Sequence, residues 1–564
     1  MIKKWIWLVI AIVVSLVIGY KVATPNHFHT HDDIQIFRTN EFLQCFKDGQ
    51  FPCRWSRDLG KGYGYPLFIF YSPMIYAIPA ILVSLSGISI AFALNISAYI
   101  TFPLAAFAMY RLIKVLTNRN DLAGICSVLF TMLPYHAVNV FVRGVYAENL
   151  VWAIAPLLLA EVYLVVTKKK SIWTLTIIGA VVLLTHNIST MILIPILGLW
   201  AGLLLFGNKN KYVGRLESLI MALLLAIGVA AWYLLPALTE KPIVQTESMI
   251  FDYYSYLVHF PSLKQVFLSN FWGYGGSSWG VTDDGMSFAL GQVQWGLLAI
   301  TALLATWFQR KTFKKFLANP ILWAMGSSLL LLLFMAHPRS TPVWIAIPAI
   351  QYIQFPWRLV GMAGMLTVVL TGYLLTKLPK KIATSMGIVA TILAILLYRG
   401  YFQPEKYDGL VDSDYIGGSL RNEQQQAHLF DYLPKTVKEV PNNFSKELLV
   451  SAEIPLSTSE TLLWKSNHAQ ITIDSPTAQE VSFSIFNYPG WEATINKQEA
   501  PITSDIKFGL ITLTIPSGRS EIELNWKETT PRKIGNAISF VSFGILVLGI
   551  IFGKPKAGGK KNHD

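Results

Sequence analysis

Acidic residues and histidines crowd together shortly after the first apolar segment of the chain. His27, His29 and His31 alternate along the sequence, and Asp32 and Asp33 follow at once. Paired carboxylates beside histidines can act as a general base or hold a divalent cation, and a His-x-His-x-His run can bind zinc. The same residues can also form a solvated start to a loop. Asp32 and Asp33 are therefore candidate catalytic residues, and metal dependence stays open.

Ionisable residues recur where later apolar segments begin or end. Arg143 and Glu148 are close enough in sequence to pair with each other at a membrane interface or to contact a substrate. His186 can cap a helix or bind a substrate. Arg358 can grip a phosphate through its planar guanidinium, or it can reach outward to lipid headgroups. Each of these residues thus has a structural and a functional interpretation.

The loop 251–289 combines aromatic and acidic side chains. Aromatic rings stack on sugar faces, so this composition is typical of a sugar-binding surface, although it also suits an aromatic belt at a membrane interface. The residues concerned are Asp252, Tyr253, Tyr254, His259, Trp272, Trp279, Asp283 and Asp284.

The composition indicates which kind of molecule must position these groups. The chain has 564 residues, of which 53% are hydrophobic and only 14% are charged, whereas soluble proteins carry about 25% charged residues. Most of its surface therefore avoids water. The net charge of +13 comes from short Lys and Arg clusters between apolar runs, so no continuous basic face exists to bind nucleic acid.

Twelve apolar runs are long enough to cross a bilayer, which takes roughly 17–25 residues. The first, in residues 1–22, lacks a small-residue cleavage site, so we expect an uncleaved transmembrane helix. The runs lie near 5–21, 91–110, 121–141, 149–166, 171–185, 188–206, 218–238, 290–308, 320–336, 358–376, 382–399 and 534–552.

A thirteenth apolar run, 66–90, is assigned from the distribution of positive charge. If it does not cross the membrane, the Lys and Arg clusters between the other runs and at both termini all fall on the cytoplasmic side, as expected for positive residues. If it crosses, the clusters after it move outside. Pro66, Pro73 and Pro79 also favour a broken segment. We expect juxtamembrane helices in the outer interface and both termini in the cytoplasm.

This topology divides the chain into a mainly α-helical, polytopic membrane bundle and a β-rich domain. Alternating apolar residues in 470–473, 481–485 and 510–515 predict strands of a small extracytoplasmic β-sandwich. The predicted parts are a first transmembrane helix (1–22), an extracytoplasmic loop with juxtamembrane helices (23–90), a transmembrane bundle (91–399) with an outer loop (239–289), the β-rich domain (400–533), and a last transmembrane helix with a basic tail (534–564).

The three cysteines offer few constraints. Cys45 and Cys53 share the first outer loop and can form a disulfide in an oxidising compartment or remain two free thiols. Cys126 lies within an apolar run and is expected to serve in packing.

On this topology the acidic residues, histidines and arginines meet at the outer end of one helix bundle. Polar groups at the membrane face are costly and are commonly functional. Their mixture suits a substrate with a phosphate at the membrane surface and a polar group beyond it. A lipid-linked sugar phosphate has this form.

Several motifs resemble the bacterial membrane proteins called 6-pyruvoyl-tetrahydropterin synthase related. The name is misleading, because nothing in the chain resembles a soluble pterin synthase. The matching stretches are His29-Thr30-His31-Asp32-Asp33-Ile34-Gln35, Arg38, Asp48 to Trp55, Gly62 to Phe68, Phe70 to Pro73, Arg143-Gly144, Ala147-Glu148, Thr185-His186-Asn187, Phe355-Pro356-Trp357-Arg358 and Tyr488-Pro489-Gly490-Trp491.

The wider architecture resembles the GT-C glycosyltransferases, which take sugars from polyprenyl-phosphate donors and carry an acidic residue in the first outer loop. The resemblance implies that Asp32 or Asp33 is the catalytic carboxylate and that the partners are a lipid-linked sugar donor, membrane lipids and a glycan, lipid or protein acceptor. As a hypothesis for the mechanism, we expect the donor phosphate to dock against Arg143 or Arg358, and Glu148 and His186 to position the acceptor. The expected substrate-binding residues are His31, Arg38, Arg143, Glu148, His186 and Arg358.

Two other functions remain as alternatives. A transporter or flippase for a lipid-linked or polar solute fits the number of helices, but the sequence has no inverted repeat and no pair of broken helices with midplane charges. A non-enzymatic envelope assembly factor would use the β-rich domain to bind a partner.

Overall fold

The computed structural model describes residues 2–168, 171–207, 212–277, 284–417, 420–421 and 431–552, with side chains from residue 5 onward. Helices dominate this part of the chain. They are α1 Ile2–Gly19, α2 Gln35–Lys47, α3 Leu59–Gly62, α4 Leu67–Phe70, α5 Met74–Ser86, α6 Ile90–Thr117, α7 Asn120–Thr131, α8 Pro134–Ala137, α9 Tyr146–Lys168, α10 Trp173–Thr185, α11 Asn187–Phe206, α12 Tyr212–Val229, α13 Ala231–Glu240, α14 Leu263–Phe267, α15 Gln292–Phe308, α16 Phe313–Leu317, α17 Pro320–Met335, α18 Thr341–Ala346, α19 Arg358–Leu375, α20 Lys380–Tyr398, α21 Asp412–Ile416 and α22 Thr530–Phe552.

Short 3₁₀ turns join many of these helices, and a π-helix, Val138–Val142, continues α8. The 3₁₀ turns are Tyr20–Val22, Lys241–Ile243, Glu247–Ile250, Asp252–Tyr254, Tyr256–Val258, Arg310–Thr312, Pro338–Ser340, Pro348–Ile353 and Arg399–Tyr401.

Eight helices within the described residues are long and apolar enough to cross a membrane, or up to ten spans if two bent helix pairs each count as one. The polytopic, mainly helical architecture is thereby confirmed. Two of the twelve predicted runs, 171–185 and 290–308, form the shorter helices α10 and α15, of 13 and 17 residues. The number twelve therefore stays a prediction.

The bundle centres on α9 and α19. In an apolar 18-residue stretch of each helix, 78% of the residues are buried in α9 and 94% in α19, compared with 22% in each of α1, α12 and α22. The last three helices therefore lie at the periphery, where an apolar surface suits lipid. The site described below is built around the N-terminal ends of the two central helices.

The segment 66–90 does not form one continuous helix. The backbone becomes extended at Tyr71, after α4, and α5 begins after Pro73. At 13 residues, α5 is about 20 Å long, shorter than the roughly 30 Å hydrocarbon core of a bilayer. The prediction of a proline-broken segment is confirmed in its local structure, and its place in the membrane interface stays a prediction.

The C-terminal β region contains two antiparallel sheets, in the orders β1-β4-β8-β7 and β2-β3-β9-β5-β6. The predicted strands at 470–473, 481–485 and 510–515 fall in β3, β4 and β8, whereas packing as a sandwich stays a prediction. The strands are β1 Leu449–Ala452, β2 Thr458–Trp464, β3 His468–Ser475, β4 Gln479–Phe486, β5 Trp491–Ile495, β6 Gln498–Ala500, β7 Thr503–Ser504, β8 Leu510–Ile515 and β9 Gly518–Trp526.

Buried arginines attach the first outer loop and the β region to the helices. Arg54 is fully buried and donates to the Trp232 carbonyl at 2.7 Å and to Asn536 Oδ1 at 2.9 Å. Arg532, at the start of α22, pairs with Glu240 at the end of α13. These contacts fix the loop that carries the candidate site residues against the bundle.

Cys45 and Cys53 are joined by a disulfide, which decides between the two alternatives that the sequence leaves open. Cys126 is buried and free, as expected for a packing residue.

Candidate functional site

A cavity of about 380 Å³ lies where the first outer loop meets the ends of α9, α11 and α19. Six of the eight predicted site residues line it: His31, Asp32, Arg38, Arg143, His186 and Arg358. Segments far apart in sequence thus contribute to one wall. The other lining residues are Phe70, Tyr71, Ser72, Val145, Asn187, Ile188, Met249, Tyr253, Tyr254, Gly276, Ser277, Met286, Gln354, Phe355, Trp357, Asp431 and Tyr432.

Backbone hydrogen bonds hold the acidic loop against the segment that follows the π-helix. The amides of His31 and Asp32 donate to the carbonyls of Val142 and Arg143, each at 3.0 Å. Gly144 has a φ of +66°, and a Cβ there would collide with the Thr30 side chain. A glycine is therefore required for the close approach that places Asp32 beside Arg143.

The two adjacent carboxylates have different surroundings. Asp33 accepts hydrogen bonds from the Thr30 amide at 2.8 Å and the Thr30 hydroxyl at 3.2 Å, and it pairs with His29 at 2.6 Å. Asp32 lines the cavity, and its carboxylate forms no hydrogen bond or ion pair with any residue that the structure describes. Asp33 shapes the loop, whereas Asp32 is available to a ligand.

Glu148 lies behind the cavity wall and forms ion pairs with two arginines. Its two carboxylate oxygens accept from Nη1 and Nη2 of Arg143, both at 2.9 Å, and Arg358 Nε lies 3.2 Å from Glu148 Oε2. Asn139 and Tyr135 complete the cluster by bonding to Arg143 and Glu148 respectively. The ion pair considered for Arg143 and Glu148 is thus present.

Arg358 is buried and faces the cavity, so it does not extend to lipid headgroups. Its Nη1 donates to the Ile353 carbonyl at 2.7 Å and to Gln354 Oε1 at 3.0 Å. Its Nη2 has no partner among the described residues. One guanidinium donor group therefore remains for a ligand.

Arg38 differs from the other two arginines because no carboxylate of the described chain lies within ion-pair distance of it. It is 96% buried, since its relative exposure is 4%, and its Nε has no hydrogen-bond partner in the described part of the chain. Its guanidinium carbon lies 4.6 Å from the centre of the Tyr71 ring, and the hydroxyls of Tyr76, Tyr71 and Tyr65 are close enough to act on its charge. A buried cation that no carboxylate of the described chain pairs with can accept an anionic ligand.

The histidines of the His-x-His-x-His run contact separate partners. His27 pairs with Asp408 at 2.6 Å, His29 pairs with Asp33, and His31 Nε2 donates to the Tyr274 carbonyl at 3.0 Å. Across the described ranges, no group of three or more His, Cys, Asp or Glu residues is arranged to hold a metal ion. The possible divalent cation thus gains no ligand set from the described residues.

His186 occupies the junction between α10 and α11. Its Nδ1 accepts a hydrogen bond from the Ser189 amide at 3.2 Å, which caps α11, and lies 2.8 Å from the Ser189 hydroxyl. Asn187 donates to the Tyr233 hydroxyl at 2.6 Å and to the Phe70 carbonyl at 3.2 Å. The Thr-His-Asn step therefore joins α11 to the α4–α5 corner while exposing His186 to the cavity.

The loop 251–289 supplies one aromatic side of the cavity. Tyr253 and Tyr254 line it beside Phe355, whereas Trp272 stacks on Tyr401 with 4.3 Å between ring centres. Burial raises the pKa of Tyr254 to about 12, so it stays a neutral donor. Two of the residues proposed for a sugar-binding surface, Trp279 and Asp283, lie outside the described residues.

The sequence analysis did not single out several cavity residues, among them Gln354, Asp431 and Tyr432. Gln354 and Tyr432 both have a φ of +64°, a strained backbone for residues with side chains. Tyr432 stacks on Phe70 with 5.4 Å between ring centres. No sequence pattern predicts a positive φ at a Gln or a Tyr. The strained backbone that distinguishes Gln354 and Tyr432 is therefore visible only in the structure.

Comparison with known proteins gives a family and a fold likeness. The profile of the 6-pyruvoyl-tetrahydropterin synthase related domain, described as a membrane protein, matches residues 68–404. No curated protein sequence matches the chain.

Three solved structures resemble it. Arabinofuranosyltransferase AftD from Mycobacteria has 14% sequence identity and a TM-score of 0.44, and the match covers 71% of this chain and 27% of AftD. ArnT from Cupriavidus metallidurans, bound to undecaprenyl phosphate, has 13% identity, a TM-score of 0.39 and a match over 70% of this chain and 64% of ArnT, and the Archaeoglobus fulgidus oligosaccharyltransferase in the apo form has 12% identity, a TM-score of 0.35 and a match over 79% of this chain and 61% of that protein. The chain spans less than two thirds of the length of each of these three proteins.

Proposed function

We propose that this chain, which belongs to the family of 6-pyruvoyl-tetrahydropterin synthase related membrane proteins, transfers a sugar from a polyprenyl-phosphate donor to an extracytoplasmic acceptor. The observation that carries the proposal is the composition of the cavity. An unpaired carboxylate, Asp32, shares it with buried arginines that have donor groups to spare. A carboxylate that can act as a general base beside an anion-binding site suits sugar transfer from a phosphate.

The dimensions of the cavity support this substrate class. A volume of about 380 Å³ lies within the range of roughly 300–1,000 Å³ found for small-molecule sites. Such a space holds a sugar ring and its phosphate. The polyprenyl chain would lie outside it, against the apolar surface of the bundle. The aromatic side formed by Tyr253 and Tyr254 offers ring faces to the sugar.

The distribution of counter-charges supports a specific place for the phosphate. Both Nη groups of Arg143 donate hydrogen bonds to Glu148, so few of its N–H groups remain to bind a phosphate. Arg38 has no carboxylate partner in the described chain, and Arg358 retains its Nη2. In this proposal the phosphate binds between Arg38 and Arg358, and Arg143 with Glu148 orients Arg358 from behind.

The chemical step then follows from the position of Asp32. Its carboxylate takes the proton of the acceptor hydroxyl while the hydroxyl oxygen forms a bond to the anomeric carbon. The bond between that carbon and the phosphate oxygen breaks, and the lipid phosphate leaves with the bonding electron pair. Arginine donors stabilise the negative charge that develops on the leaving oxygen.

The proposal includes an orientation of the protein in the cell membrane. The cavity faces the extracytoplasmic side, and both termini face the cytoplasm, as the distribution of Lys and Arg favours. The sugar, the carrier lipid and the acceptor (a glycan, a lipid or a protein) are to be identified by comparing cells with and without the protein.

A pair of matched substitutions tests the proposed function. Asp32→Asn removes the base and is expected to abolish the sugar product. Asp33→Asn keeps an oxygen that can accept from Thr30, so most of the product should remain. The measurement is mass spectrometry of extracytoplasmic glycans and lipid-linked sugars in cells lacking the protein and supplied with each variant. Full product with Asp32→Asn would overturn the proposed role of Asp32.

A further inference from the structure

Hydrogen bonding around His186 fixes the position of its ring proton. The Ser189 backbone amide can only donate, and it donates to Nδ1 of His186 at 3.2 Å. Nδ1 must therefore be unprotonated, and in the neutral ring the proton sits on Nε2. The helix cap of α11 thus imposes one tautomer on this histidine.

The protonated nitrogen is free to act in the cavity. His186 lines the cavity, and no described residue bonds to its Nε2. The pKa of His186 is lowered to about 4, mainly by burial; the charge of Glu148 opposes this shift, and the charges of Arg358 and Arg143 add to it. The ring is therefore neutral near pH 7, with one N–H to donate and no free lone pair.

We infer that His186 is a neutral hydrogen-bond donor to an oxygen of the bound phosphate, and that it does not act as a base. The inference rests on the proposed function, because it assigns a further contact to the same phosphate. A base at this position would need an unprotonated nitrogen facing the substrate. The unprotonated nitrogen of the neutral ring is Nδ1, and it already accepts the hydrogen bond that caps α11. A neutral donor beside Arg358 adds direction to the anion site without adding charge.

Two substitutions separate the donor from the cap. In His186→Asn, the side-chain oxygen occupies the position of Nδ1, and Asn is a favoured capping residue, so α11 stays capped while the cavity donor is lost. In His186→Gln, the amide nitrogen reaches the position of Nε2, so the donor is kept while the cap is lost. A residue that served only as a cap would tolerate Asn and not Gln.

The test measures binding to the purified full-length protein in detergent. The probes are a short-chain polyprenyl monophosphate, inorganic phosphate and the matching polyprenol. His186→Asn should weaken binding of the polyprenyl monophosphate about tenfold, the size expected for one hydrogen bond to a charged group, with an unchanged melting temperature. His186→Gln should stay within about threefold of the wild type while melting at a lower temperature. Neither substitution should alter polyprenol binding.

The outcomes distinguish the inference from the proposed function. An unchanged affinity of His186→Asn for the polyprenyl monophosphate would overturn the donor role. An equal loss of affinity for the polyprenol and for the polyprenyl monophosphate would overturn it as well. Wild-type protein that binds no polyprenyl monophosphate would overturn the proposed function and the inference with it. If inorganic phosphate binds as tightly as the polyprenyl monophosphate, the free ion is the ligand. The donor role then holds if His186→Asn weakens inorganic phosphate binding about tenfold, and it is overturned if that affinity is unchanged.

Discussion

The three arginines of the cavity show how burial and pairing assign different roles to the same residue type. A buried guanidinium is costly unless a carboxylate compensates it. Glu148 forms ion pairs with both Arg143 and Arg358, whereas tyrosines lie beside Arg38 and no carboxylate of the described chain pairs with it. A phosphate entering the cavity would complete the environment of Arg38, so the cost of burying this side chain is expected to favour ligand binding.

Neutralising Arg38 is therefore predicted to separate binding from stability. Arg38→Gln should lower the affinity for a polyprenyl monophosphate by about 2 kcal/mol, the contribution of hydrogen bonds to a charged group, and should leave the melting temperature unchanged or higher. Arg143→Gln is the matched control. It leaves Glu148 with an incomplete set of partners and should destabilise the protein by about 3 kcal/mol or more. Equal loss of stability in both variants would contradict the assignment.

At the scale of elements, the turn Tyr488-Pro489-Gly490-Trp491 joins the β region to the membrane helices. Tyr488 donates its hydroxyl to Glu240 Oε2 at 2.9 Å, and Arg532 donates to the same carboxylate and to the Pro489 carbonyl, both at 2.8 Å. The turn is thus packed between the end of α13 and the start of α22. Gly490 has a φ of +119°, and a Cβ there would lie 2.7 Å from Arg532 Nη1.

This packing predicts a difference between two glycines that share a left-handed backbone. Gly490→Ala meets both backbone strain and a collision, whereas Gly518→Ala, with a φ of +88°, has open space around its Cβ. Backbone strain alone costs about 1–2 kcal/mol. Gly490→Ala should destabilise the protein by at least about 2 kcal/mol more than Gly518→Ala. Thermal unfolding and limited proteolysis of the β region measure the difference, and equal effects would show that the turn does not hold the two regions together.

Helix α2 carries a carboxyl group that should make stability depend on pH. Glu41 is buried and accepts from the Ser56 hydroxyl and the Asp58 amide, both at 2.8 Å. Burial, and then the charge of Asp58, raise the pKa of Glu41 from 4.5 to about 8. Because the folded state holds the proton more tightly than the unfolded state, its stabilisation is complete below about pH 4.5 and is lost as pH rises to about 8.

Glu41→Gln tests this expectation, since the amide keeps an oxygen for Ser56 and Asp58 and cannot ionise. The melting temperature of the wild type should fall more steeply than that of Glu41→Gln between pH 5 and pH 8, and the two curves should run parallel above about pH 8.5. Parallel curves over the whole range would mean that Glu41 ionises in the folded protein as it does in water.

At the scale of the whole molecule, the charge distribution predicts the position of the β region and the cavity relative to the membrane. Lys and Arg clusters favour a cytoplasmic location for the connection between α9 and α10. In this prediction the β region lies outside, together with the cavity. Reversal of this orientation would move the site to the cytoplasmic side and remove the basis for an extracytoplasmic acceptor.

Cysteine labelling in intact cells tests the orientation directly. A cysteine at Ser171, after α9, should react only with a membrane-permeant maleimide, whereas a cysteine at Ile506, which is 93% exposed in the β region, should react with an impermeant reagent. Background labelling should be low because Cys45 and Cys53 are joined and Cys126 is buried. If the impermeant reagent labels the cysteine at position 171 and fails to label the cysteine at position 506, the orientation in the membrane is the opposite of the predicted one.

Local properties of the chain were sufficient to predict much of this protein. Apolar length and charge indicated a polytopic membrane protein, proline spacing indicated the break between α4 and α5, and alternation indicated β3, β4 and β8. The motifs also indicated the family and the residues that gather at one cavity. These features depend on neighbours within a few residues, so a sequence records them.

Partnership between distant residues was decided only by the tertiary structure. Asp32 and Asp33 are adjacent and identical in type, and only the fold engages Asp33 with Thr30 and His29 while leaving Asp32 at the cavity. The same holds for Arg38, whose lack of a carboxylate partner depends on how α2 packs against the bundle. Burial and hydrogen-bond partners are properties of the folded chain, and they determine which of the candidate residues can meet a substrate.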